Sequence, residues 1–109
     1  MKRYWELEEL IDHFTFIPNE LSQLSNKTGN TRLGFAVLFK FFQYEARFPN
    51  HKNEIPKEVI RYISKQLNLG SFLFDEYDWY SRSIKYHRAQ IREFFEFREV
   101  TERYKNVCV

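Results

Sequence analysis

The sequence is short of the residues that staple or punctuate a chain. Cys108 is its only cysteine. An internal disulfide and a cysteine-based metal site are both excluded, which suits a reducing cytosol. Three glycines and three prolines leave no Gly-rich phosphate loop, and neither HExxH nor GxSxG is present. The longest apolar run is only Phe35 to Phe39, far short of a membrane span. The opening "MKRYWELEEL" lacks the apolar stretch of a signal peptide. His13, His51 and His87 are too scattered to suggest a metal site. An excess of one charge is missing too: 17 basic and 15 acidic residues give a net charge of +2. Bulk charge therefore does not announce nucleic acid, and any such case must come from distribution. A single soluble, cytoplasmic domain without cofactor, metal, membrane contact or small-molecule substrate is expected.

What the chain has is apolar and aromatic mass, 43% and 19% of its residues, enough for a packed core. No segment alternates with period two, so an all-α bundle of five or six helices is predicted. Leu7, Leu10, Ile11 and Phe14 have helical spacing and predict a first helix over about 4 to 13. Glu6, Glu8, Glu9 and Asp12 between them read as a solvated face. Pro18 suits the first turn of a short second helix. Asn30 or Thr31 is placed to cap the next.

That helix, "TRLGFAVLFKFFQYEARF", keeps its polar residues Arg32, Lys40, Gln43 and Arg47 on one narrow arc. It must be wrapped on most sides, and is predicted to be the most buried element, with Phe39 and Phe42 in the core. Gly34 within it suggests close approach by a neighbouring backbone. Pro49 is read as helping to end it, and Pro56 as opening "PKEVIRYISKQL". "SFLFDEYDWY" reads as one helical turn and a loop. The aromatics at 39, 41, 42, 72, 74, 94 and 95 have buried-face spacing and read as core rather than a base-stacking platform.

Two basic stripes remain. Lys57, Arg61 and Lys65, spaced by four, face outward together. On the last long helix, from about Ser81 to Phe95, Arg82, Lys85, Arg88 and Arg92 fall within about 120° of arc. They lie beside the apolar arc of Ile84, Ile91, Phe94 and Phe95. Like charges three and four apart repel on a helix unless something anionic arrives. His87, near the edge of the apolar arc, is either a hydrogen-bonded, half-buried histidine or a donor to phosphate. Basic outward faces on a helical unit, with something of the helix-turn-helix about it, suit phosphate contacts and insertion into a groove. The bland reading is a solvated face neutralised by Glu58, Asp75, Glu76 and Asp78. The residues alone leave nucleic-acid binding and protein interaction both open.

The wording of the sequence goes further. "NKTGNTRLGFAVLFKFFQYEARFP", "EIPKEVIRYISKQL", "YDW" with Arg82 following, and "KYHRAQIREFFEFRE" occur in one order at close spacing. Together, over about 10 to 104, they resemble the N-terminal domain of Tn-three-family transposases, a module long catalogued as a domain of unknown function. The resemblance implies large cytosolic bacterial proteins that join transposon to target DNA by a replicative route. Their metal-dependent acidic triad lies in a later domain, and their N-terminal helical modules recognise terminal inverted repeats. It therefore implies double-stranded DNA and other transposase domains as partners, and no catalysis by this chain. The rival is a helical protein-interaction scaffold within a transposase or a truncated stand-alone product. Arg32 falls in the "TRLGF" match, Arg47 in "RFP", and His87, Arg88 and Arg92 in "HRAQIRE". Two departures stand out. Glu96 replaces a common glycine, removing an expected helix stop, and Ser81 replaces another just before the basic helix.

Overall fold

Helices form where the apolar spacing places them, and stop where the backbone reverses. The computed structural model describes residues 1–107, with side chains through Glu96. Six α-helices occur in the order α1 (Leu7–Phe14), α2 (Pro18–Leu21), α3 (Gly29–Glu45), α4 (Lys57–Gln66), α5 (Leu73–Glu76) and α6 (Arg82–Val107). Single 3₁₀ turns follow α2 and precede α4, and there is no strand among the described residues. The all-α bundle is as expected.

Helix α3 is the axis of the fold. Leu33 through Phe41, nine consecutive residues, are all buried, and α1, α4, α5 and α6 each pack on it. Its start differs from expectation. The N-cap position is Thr28, because Asn30 Nδ2 donates to Glu76 O on α5 and Thr31 Oγ1 back to Thr28 O. The helix also ends before Pro49. Ala46 adopts a left-handed φ of 61°, and its N–H donates to Phe42 O at 2.8 Å. Phe39 is fully buried, whereas Phe42 is half-buried and stacks on Phe48.

What approaches Gly34 is a side chain rather than a backbone. The Tyr77 ring lies against its Cα, and a β-carbon there would overlap that ring. Tyr77 is itself fixed by a hydrogen bond to His87. Gly34→Ala should therefore destabilise by about 1–3 kcal/mol, although alanine is by itself the better helix former. Urea titration checks this. The same change in a Tyr77→Ala background should cost less, and equal costs in both would remove the Tyr77 explanation.

Apolar spacing overstates burial at two places. On α1, Leu10 and Phe14 are buried, but Leu7 and Ile11 are 65% and 48% exposed. The helix packs on α3 and α4, which covers only half of its apolar arc. Phe72, expected in the core, is 62% exposed at the lead-in to α5. Helix α4 exposes Lys57, Arg61 and Lys65 as predicted, and buries Val59 and Ile63. Helix α6 runs straight through Glu96 to Val107. Glu96, a helix former, leaves nothing to stop it there.

Candidate nucleic-acid interface

Helix α6 docks on α3 through Ile84, His87 and Ile91, which are all buried. That docking fixes which side faces outward. Arg82, Lys85 and Arg92 are exposed, and Arg88 is half-buried. Among the described residues no carboxylate pairs with any of the four. Two of the acids expected to neutralise the basic stripes, Glu58 and Asp78, have other partners. Glu58 accepts from Trp5 N–H at 2.7 Å. Asp78 organises the turn before α6, its Oδ1 accepting from Tyr80 N–H and its carbonyl from Ser81 Oγ.

His87 does not belong to this outward face. It is 8% exposed and stacked parallel on Tyr77, with ring centroids 5.7 Å apart. The Tyr77 hydroxyl lies 2.6 Å from His87 Nδ1. Burial pushes the phenol well above its ordinary range and, helped by the Lys27 charge, holds the imidazole down at about 4. A phenol that keeps its proton donates to a neutral ring, so the imidazole proton sits on Nε2. The residue is a core histidine. As a DNA contact it is withdrawn from solvent by its packing against Tyr77 and Phe35.

The lower half of the α6 stripe is organised by a ring from another part of the chain. The Arg88 guanidinium lies 5.6 Å from the Phe48 centroid and 5.9 Å from that of Trp79. Arg92, one turn on, lies 5.1 Å from the same Phe48. Both approach within cation–π range, which offsets part of their mutual repulsion. The left-handed turn at Ala46 also brings Arg47 to this place. Arg47 Nη1 donates to Phe48 O at 3.2 Å, and its guanidinium is only loosely paired with Glu54 at 3.4 Å. The result is an open groove of about 720 Å³ between the end of α3 and α6, bordered by Arg47, Phe48, Asn50, Arg88 and Arg92. Arg47 had no place in either stripe. Helical spacing places Arg47 on the polar arc of α3, but that helix ends at Glu45, and only the shared "RFP" wording links the residue to this surface.

The other stripe, Lys57, Arg61 and Lys65 on α4, is exposed and, among the described residues, likewise without carboxylate partners. It does not join the first. Helices α4 and α6 both pack on α3 and make no substantial contact with each other. No three His, Cys, Asp or Glu side chains gather as metal ligands among the described residues. No helix there is long and apolar enough to cross a membrane.

Comparison with known proteins finds transposases of bacterial transposons. The chain is 31% identical over 86 residues to the transposase for transposon Tn1546 of Enterococcus faecium, covering 78% of the chain and 9% of that protein. It is 26% identical over 90 residues to the transposase for transposon Tn501 of Pseudomonas aeruginosa, covering 82% and 9%. It is also 26% identical over 95 residues to the transposase for transposon Tn3926 of Escherichia coli, covering 86% and 10%. The chain thus spans about a tenth of the length of the curated relatives it matches. No solved structure matches it. The family catalogued as a domain of unknown function, DUF4158, matches residues 1–108 from end to end, and to that family this chain belongs.

Proposed function

We propose that this chain is a DNA-binding module of a replicative, Tn-three-family transposase, recognising transposon terminal inverted repeats in the cytoplasm and leaving catalysis to other parts of such a protein. One observation carries the reading: four cations without carboxylate partners among the described residues share the outward face of α6, a helix whose opposite face is fixed to the core. Their repulsion is a standing cost that phosphate would relieve. Release of counterions from DNA would supply a salt-dependent affinity. Arg82 and Lys85, exposed at the start of α6, are free to reach base edges as well as phosphates. Lys57, Arg61 and Lys65 lie on a separate helix and fit a second, supporting backbone contact. A module with so few contacts binds weakly alone and gains strength by linkage to others.

Fluorescence anisotropy with inverted-repeat and scrambled duplexes at two salt concentrations tests the reading. The wild-type chain should prefer the inverted repeat. Arg88→Gln with Arg92→Gln should weaken binding and flatten the salt slope by about two, with circular dichroism unchanged. Equal affinity for both duplexes at every salt concentration would defeat sequence recognition. A folded double variant with unchanged slope would defeat the assignment of α6.

A second reading, docking against other transposase domains, is favoured by the exposure of Leu7 and Ile11 on α1. Substituting those two residues would then leave DNA affinity untouched while abolishing the protein contact.

A further inference from the structure

We propose that Arg47, Arg88 and Arg92 act together as a clamp for a single backbone phosphate, with Phe48 as the platform that sets their spacing. The proposal rests on the DNA-binding reading only for the source of the phosphate, and it adds Arg47, which lies outside both basic stripes.

Three features argue for one ligand held by three side chains. The Arg88 and Arg92 guanidiniums lie 5.6 Å and 5.1 Å from one ring centroid, so Phe48 holds both at the same wall of the groove. Arg88 is further confined by Trp79 at 5.9 Å, and its Nε is enclosed without a hydrogen-bond partner. It is therefore held by packing rather than by an acceptor, and its terminal nitrogens stay uncommitted. Arg47, packed over Phe41 at 5.3 Å, lines the same groove. Its contacts to Glu54, 3.4 Å and 3.5 Å, are at the long limit of hydrogen bonding. Glu54 does not depend on them, because it also accepts from Asn50 N–H at 2.5 Å. Arg47 is thus able to turn to an arriving anion without leaving a bare carboxylate behind.

The chemistry of the groove selects phosphate over a base. A base would need an open aromatic face to stack on. Phe48 already packs against Phe42, with centroids 4.7 Å apart and rings tilted by 31°, and is approached by two guanidiniums besides. What the groove offers instead is forked N–H donors, whose geometry matches two phosphate oxygens at a time. Glu96, exposed at the rim, disfavours an anion at its own end and biases the ligand towards Arg47 and Arg88. A clamp of this kind positions DNA without reading its sequence.

Two measurements on the whole chain decide the matter. In the first, pyrophosphate is titrated while the arginine Nε–Hε resonances are followed by NMR. The signals of Arg47, Arg88 and Arg92 should move together with one dissociation constant, ahead of those of Arg82 and Arg61. In the second, Arg47→Gln is titrated with inverted-repeat and scrambled duplexes. Both affinities should fall by the same factor, and both salt slopes should flatten by about one. The clamp is overturned if pyrophosphate moves no member of the trio ahead of the other arginines. It is equally overturned if Arg47→Gln leaves both slopes unchanged, or weakens the inverted repeat alone, as a base contact would. If the wild-type chain binds no duplex but pyrophosphate moves the trio together, the clamp stands with a free phosphate as its ligand, and it is the DNA-binding reading that fails.

Discussion

Replacing Lys40 with methionine should destabilise the domain by about 3–5 kcal/mol, the penalty for leaving the other half of a buried ion pair without its partner. Lys40 lies within the nine-residue buried stretch of α3, and its Nζ sits 2.8 Å from Glu20 Oε1, with both side chains almost wholly enclosed. The ammonium also donates to Thr15 O and Gln43 Oε1, while Glu20 accepts from Ile17 N–H and Gln43 Nε2. Each charge is thus bonded on several sides, and the network ties α2 to α3. Removing the cation alone strands the carboxylate. Removing both charges should be much less harmful: Glu20→Gln combined with Lys40→Met keeps an acceptor for Ile17 and should recover most of the loss. Urea titrations of the four species give the coupling directly. A Lys40→Met protein within about 1 kcal/mol of the wild type would show that water reaches Glu20 and that the pair is not sealed.

The second large effect is a loss of stability in acid traceable to His87. Its imidazole titrates near 4 in the folded chain against an ordinary 6.5, mainly because burial disfavours the cation and secondarily because Lys27 is close. Between those values the unfolded chain holds a proton that the folded chain refuses, so stability falls as the solution is acidified. The contribution is complete above about pH 6.5 and shrinks as the pH approaches 4. At about 1.4 kcal/mol per unit the full interval is worth about 3–4 kcal/mol. His87→Gln, which cannot take up the proton, should start less stable at pH 7 and decline less steeply between pH 6.5 and 4. Parallel declines in the two proteins would mean that His87 is solvated in the folded state.

The fold was legible wherever periodicity and burial coincide. In α3 so few polar residues interrupt the apolar ones that no exposed placement was tenable. Pro18 and Pro56 announced their helices because a missing N–H is harmless in the first turn. Periodicity failed where it reports apolar character but not cover, as at Leu7, Ile11 and Phe72. The interface was legible only in part. The α6 stripe follows from spacing along one helix. The burial of His87 depends on Tyr77, ten residues earlier, and the recruitment of Arg47 depends on a left-handed residue at Ala46 that no rule assigns to alanine. Both are contacts between elements, and a one-dimensional pattern does not encode them.

Helix α3 packs on α1, α4, α5 and α6 and is tied to α2 through Glu20, and this has a bearing on how the protein opens. Helices α1 and α4 also pack on each other, but α5 and α6 have no other substantial helix contact, so there is little to be gained by peeling the domain apart in stages. Loss of α3 is loss of the whole cooperative unit. Arg47 hangs from the end of α3, and Arg88 and Arg92 from a helix docked on it. Their spacing is therefore kept for as long as the domain is folded at all. Substitutions deep in the bundle, such as those at Lys40 or Gly34, would then reach the groove by changing how many molecules are folded rather than by reshaping it.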